Sequence, residues 1–279
     1  MRFKVFSLFL AVLLASFALW QGTHAWDKKA TPTPIMIQPE DAMATASHQA
    51  AKPSIKRIRF SAKTVEGEYE LLATDRKEGL LSVMAQLPSE HTSSLKNLVL
   101  DYDPKAYRGL GGRSLIILRA VDMDTAEQTA VLIHEIGHNV DLGVMAEKSQ
   151  ETMSEFRDGK SAVYESDPSL GFYRLSWDSE KTRKKTATNF DFVSGYAMSD
   201  PFEDFAEGYV YYVLHNQDFK SKAQTSDVLW EKYKFIRDVV FKGEIFATGE
   251  YKPEALNQRP WDITVLSYDL NGFLGNSTT

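Results

Sequence analysis

Apolar and polar positions follow two periods along this chain, and each period predicts a different kind of element. Alternation in IKRIRF from Ile55, and the apolar runs YELLATD, NLVLDYDP and RSLIILRA, predict strands. The last two are separated by the glycine-rich GLGG at 109–112. KEGLLSVMAQL at 77–87 carries a helical pattern that Pro88 stops. A better-defined helix runs from about Thr125 to Leu142, with Asp124 as N-cap, Glu127 completing a capping box and Gly143 as the C-terminal stop. Another opens at Asp200-Pro201, with the acid at the cap and proline at the first helical position, and runs to about His215. Leu229, Tyr233, Ile236 and Val240 form a helical stripe that reads as core. Residues 242–279 read as irregular, with at most one short strand, and no internal repeat is present. The order of elements predicts an α+β domain built on a small mixed sheet.

The N-terminus changes the picture of where such a domain works. MRFK is basic, residues 5–20 are uncharged and almost wholly apolar, and Thr23 and Ala25 are small residues at the spacing of a cleavage site. This predicts a secretory signal at 1–25, the alternative being an uncleaved anchor, since the apolar core falls between signal length and the ~20 residues of a span. Residues 26–55, rich in Ala, Thr, Pro and Lys, read as a flexible linker or arm, and 56–279 as one folded domain. The expected location is secreted or periplasmic, with no membrane span once the signal is gone. The net charge of −6 argues against nucleic acid as the main partner. The absence of cysteine excludes thiolate metal ligands, cysteine nucleophiles and disulfides.

Chemistry enters at VLIHEIGHNVDLG. On a helix His134 and His138 lie at i and i+4, so both imidazoles face one ion, and Glu135 beside the first can act as general base on a metal-bound water. Leu132, Ile133, Ile136 and Val140 make that helix mostly buried, where two histidines need a partner. A catalytic zinc site needs a third protein ligand. The extended pattern HExxHxxGxxH fails, because Asp141 and Val144 stand where it requires Gly and His. Asp141 falls on the metal face by spacing, so it either supports a ligand or is an acid in the last turn with no such role. In FVSGYAMSDPFEDFAEGYVYYV, Glu203 and Glu207 share one helix face, so one can ligate while the other orients a histidine. The ordinary structural readings are a capping box of Glu203 with Asp200 and a solvated face for Glu207. The apolar neighbours Phe202, Phe205, Ala206, Tyr209 and Val210 favour a shared cation. Tyr196 is packing by default.

HEIGHNVD followed by YAMSDPFEDFAE resembles the gluzincin metalloproteases related to the anthrax lethal factor catalytic domain and the bacterial Pro-Pro endopeptidases. Those proteins pair HExxH with a downstream Glu-x-x-x-Glu helix and a tyrosine seven residues before its first glutamate, as Tyr196 stands to Glu203. The resemblance covers about 122–142 and 191–215. It implies a zincin-like fold, zinc held by His134, His138 and Glu203, Glu135 as base, Tyr196 as oxyanion stabiliser and Glu207 supporting a ligand from behind. It implies a protein or peptide substrate, and the missing GAMEN-type exopeptidase signature favours an endopeptidase. An upstream strand holds substrate in such families, which casts RSLIILRA as a sheet edge rather than an ordinary core strand. Residues 143–190 match nothing in them. The sequence leaves two other readings: a zinc hydrolase of a non-protein amide such as cell-wall material, and a non-catalytic zinc-stabilised binding module. The basic run at Lys181–Lys185 reads as a solvated loop.

Overall fold

Hydrogen-bonded register places the three parallel strands side by side. The computed structural model describes residues 58–146, 152–251, 253, 256 and 258–275, all within one compact unit spanning 50–279. The predicted signal and the predicted arm lie outside the described residues. The elements are β1 (Arg59–Lys63), β2 (Tyr69–Leu71), α1 (Thr74–Met84), β3 (Asn97–Asp101), β4 (Gly109–Gly111), β5 (Leu115–Arg119) and α2 (Thr125–Asn139). There follow β6 (Met153–Asp158), β7 (Ser161–Tyr164), α3 (Leu170–Ser176), β8 (Trp177–Ser179) and β9 (Thr182–Arg183). The remainder is helical: α4 (Pro201–Leu214), α5 (Asn216–Ala223), α6 (Asp227–Phe235) and α7 (Leu270–Gly275). The chain is therefore mixed α+β with a small sheet, as its pattern predicts.

The main sheet runs β2-β1-β3-β5-β4, with β1, β3 and β5 parallel and the two outer strands antiparallel to their neighbours. Leu98 pairs with Ile116 and Leu100 with Leu118, all four fully buried on the helix-facing side, each worth ~1.5–3 kcal/mol of burial. RSLIILRA is thus an interior strand, which corrects its expected edge role. The edges are β2 and β4, the latter drawn from the glycine-rich stretch between NLVLDYDP and RSLIILRA.

Helix α2 crosses the core and α4 packs along it. Asp124 accepts from the Glu127 amide at 2.8 Å, so the N-cap forms, but the Glu127 carboxylate turns to Arg108 instead of closing a capping box. Gly137, between the two motif histidines, makes the close crossing with α4 feasible. A Cβ there would lie 3.1 Å from the Ala206 Cα and the Tyr209 Cβ. Beyond Asn139 the helix does not stop at Gly143; it widens into a π-turn over Val140–Val144. Gly143 is small because the β4–β5 connection crowds it: a Cβ would stand 2.5 Å from the Arg113 carbonyl oxygen. Asn139 ties the same junction, donating to the carbonyls of Gly112 and Arg113 at 3.0 and 2.9 Å. The end of α2 thereby fixes the edge strand beside the helix.

The unassigned stretch 143–190 supplies, among its described residues, two small hairpins and α3. The Lys181–Lys185 run lies largely exposed around β9. The stripe Leu229, Tyr233, Ile236 and Val240 is buried on α6 and the π-turn after it, as expected. Among the described residues of 242–279 there is no strand; a 3-10 turn at Ile263–Val265 and α7 stand there instead. No helix among the described residues is long and apolar enough to cross a membrane.

Candidate metal centre

Helix α2 delivers His134 and His138 to one buried face, their rings 5.0 Å apart between centroids. Helix α4 begins where it does because Asp200 accepts from the amides of Phe202 and Glu203, both at 2.9 Å, with Pro201 at the first helical position. That cap needs only the backbone of Glu203. Its carboxylate instead sits between the histidines, Oε2 at 3.2 Å from His134 Nε2 and 3.3 Å from His138 Nε2. The capping-box reading of Glu203 is thereby set aside. Burial alone would push the Glu203 carboxyl up, but the hydrogen bonds from the two imidazoles outweigh it and hold it well below the usual carboxylate range. Burial would likewise keep His134 and His138 neutral, and their acidic partners push both up.

Glu207 lies one turn deeper, is fully buried, and accepts from His134 Nδ1 at 3.1 Å. Its other oxygen accepts from the Ser194 hydroxyl at 2.6 Å and the Ile263 amide at 2.9 Å. With Nδ1 facing Glu207, the His134 ring is oriented so that Nε2 points toward His138 and Glu203. The solvated-face reading of Glu207 fails. Ligand atoms of His134, His138 and Glu203 all lie within 4.8 Å of one another, and this group could hold a metal ion.

Glu135 points from α2 toward β4. The edge strand approaches so closely that a Cβ on Gly111 would stand 2.5 Å from Glu135 Oε2, and one on Gly109 would overlap the same carboxylate. Those two glycines therefore make room for the acid. Burial raises the Glu135 carboxyl, opposed by the nearby histidines, and its Oε2 has no hydrogen-bond partner among the described residues. Tyr196 stands in a 3-10 turn and donates to Glu203 Oε1 at 3.1 Å. Burial first, then Glu203, raises its hydroxyl above the usual phenol range. Of these six side chains, all but Glu207 line one open cleft of about 670 Å³, together with Gly109–Gly111, Tyr107, Arg108, Phe202 and Trp261.

Asp141 does not support a ligand directly. The π-turn carries it to α3, where the Tyr173 hydroxyl donates to it at 2.6 Å, and burial raises it to about 7 against that bond. Sequence pattern also misses Ser194, the Ile263 amide and Arg108. Ser194 lies inside the motif segment but has no spacing signature, and a backbone amide has none at all.

No family model, curated protein or solved structure matches the chain.

Proposed function

We propose that the protein is an exported zinc endopeptidase whose described domain is zincin-like. The observation that carries this reading is the Glu203 carboxylate lodged between two Nε2 atoms, with Glu135 beside them at an open cleft. Two imidazoles and one carboxylate are the donor set of a catalytic zinc site, and they fit it: His134, His138 and Glu203 would hold the ion. Bound there, zinc supplies a Lewis acid for the scissile carbonyl and lowers the pKa of water.

The chain's own groups do the rest. Glu135, a buried carboxylate with an unpartnered oxygen, takes a proton from the attacking water and passes it to the departing amine nitrogen. Tyr196, lining the same cleft, donates its hydroxyl to the charge developing on the carbonyl oxygen. Glu207 holds the His134 ring in the tautomer that keeps Nε2 free. Among the described residues strand β4 pairs with β5 on one side only, so its other side offers backbone groups to an extended peptide. That free edge favours a peptide substrate over a non-protein amide. The exposed Tyr107, Leu110 and Trp261 along the cleft suit apolar side chains. A base placed beside the metal ligands is superfluous in a purely structural zinc site, which disfavours the non-catalytic module.

Digestion of a mixed peptide library by the zinc-loaded protein, with and without chelator, tests the reading. Internal cleavage that the chelator stops is the expected result. A loaded protein that cleaves no peptide would overturn it.

A further inference from the structure

The segment after residue 258 carries no functional motif, yet three of its backbone groups reach the site. The Pro260 carbonyl accepts from the Gly195 amide at 2.9 Å and the Trp261 carbonyl from the Tyr196 amide at 2.6 Å. Two residues on, the Ile263 amide donates to the Glu207 carboxylate that holds His134. One short stretch thus fixes both the backbone bearing Tyr196 and the acid that orients His134.

The stretch is gripped by a side chain next to β4. Arg108, directly before β4, donates from Nε to Glu127 Oε1 at 2.8 Å, from Nη1 to Asp262 Oδ2 at 2.7 Å and from Nη2 to Thr264 Oγ1 at 2.9 Å. The other Asp262 oxygen closes the turn, accepting from the Thr264 amide and hydroxyl at 2.7 and 2.6 Å. Three nitrogens of one planar group on three partners is a geometry lysine cannot reproduce. The indole of Trp261 is 72% exposed, so that ring does not anchor the stretch; the buried Ile263 side chain and the polar contacts together do. The ring lies against Gly195, where a Cβ would stand 2.5 Å from it, so this side of the cleft has no slack.

We propose that Arg108 and residues 260–264 form a positioning strap. Arg108 clamps the strap, and the strap sets Tyr196 and the Glu207–His134 pair. Arg108 touches no metal ligand, so it acts through the strap as a positioning residue. The metal arm of this inference rests on the zinc reading above; the structural arm does not.

The test uses Arg108→Met, Arg108→Lys and the double variant Arg108→Met/Asp262→Asn. Amide hydrogen exchange on the metal-free protein reads the strap, and zinc competition against a chelating dye reads the site. Arg108→Met should speed exchange at Gly195, Tyr196 and Ile263 together, leave the β3 amides of Leu98 and Leu100 unchanged, and weaken zinc about tenfold. Arg108→Lys should fall between it and the unaltered protein. Adding Asp262→Asn to Arg108→Met should add little, because both break one clamp. Unchanged exchange at the three amides in Arg108→Met would overturn the strap. Faster exchange with unaltered zinc affinity would overturn its coupling to the site. If the unaltered protein takes no zinc, the metal reading falls, and the exchange result alone upholds or overturns the strap.

Discussion

Helix α4 carries two buried charge clusters that differ in one respect. Asp204 meets Lys232 at 2.6 Å, both 1% exposed, and its carboxylate also accepts from Trp177 Nε1 at 2.9 Å and Ser176 at 3.2 Å. The Lys232 ammonium further donates to the Asp191 carbonyl and lies 4.0 Å from the Phe192 ring centre. That cluster is closed off from solvent: one cation and one anion, with Lys232, Trp177 and Ser176 all directed at Asp204 Oδ2 and a neutral carbonyl taking a further ammonium hydrogen. One residue earlier, Glu203 belongs to a cluster in which three acids surround two imidazoles and one acid oxygen has no partner. This second cluster opens on a cleft. A closed buried pair stabilises one arrangement of the chain, whereas an open acid-rich cluster is arranged around a cation and a reacting molecule.

Breaking the closed cluster should therefore act on stability alone. Lys232→Met leaves the Asp204 carboxylate buried without its cation, and burial already pushes that carboxyl up. The expected loss is ~3–5 kcal/mol of unfolding free energy in denaturant titration, with zinc affinity of the folded protein unaltered. Equal stability would show that Asp204 finds another partner.

Substitution in the open cluster should do the reverse. Glu135→Gln keeps the shape of the side chain but cannot take a proton. Library cleavage should fall by about 10²–10⁴-fold while zinc content and thermal stability stay unchanged. Retention of most activity would remove Glu135 from the role of base.

How far these clusters were legible in the sequence follows from how local their signals are. His134 and His138, and Glu203 and Glu207, are i and i+4 pairs, and helical spacing alone puts each pair on one face. The α4 start was legible in Asp200-Pro201. The sheet edge was not. Three residues, two of them glycine, are too few for an alternating pattern, and their pairing with β5 is set by the distant α2 terminus through Asn139. Gly143 misled because glycine after a helix ordinarily signals a left-handed stop, while here close packing against Arg113 requires it. The Ile263 amide was invisible for a simpler reason: a backbone donor leaves no residue type to read.

Histidines extend the comparison. His91 is as buried as His134 but has neutral partners, the Tyr209 hydroxyl at 2.8 Å and the Val240 carbonyl at 3.0 Å. Burial lowers it to about 4, whereas the acids around His134 raise that ring. Between about pH 4 and 6.5 the unfolded chain binds a proton that native His91 refuses. Stability contributed by the neutral ring is therefore fully present above 6.5, declines as pH falls through this window, and levels off below about 4. The swing is about 3 kcal/mol. Comparing unfolding free energy against pH for the unaltered protein and His91→Asn isolates this slope; identical slopes would contradict it.

A smaller effect separates the two glutamates of α4. Glu207→Ala removes the partner of His134 Nδ1 but no ligand, so zinc should still load with affinity weakened about 10–100-fold. Chelator competition measures it. Failure to load any zinc would move Glu207 into the ligand set.

The central claim is that His134, His138 and Glu203 together hold one zinc ion. Its most direct test is a zinc titration of the unaltered protein and of Glu203→Ala against a competing chelator. One tightly bound equivalent in the former, and none at the same chelator strength in the latter, is the predicted result. Unaltered protein that cannot be loaded, or Glu203→Ala that loads equally well, would contradict it.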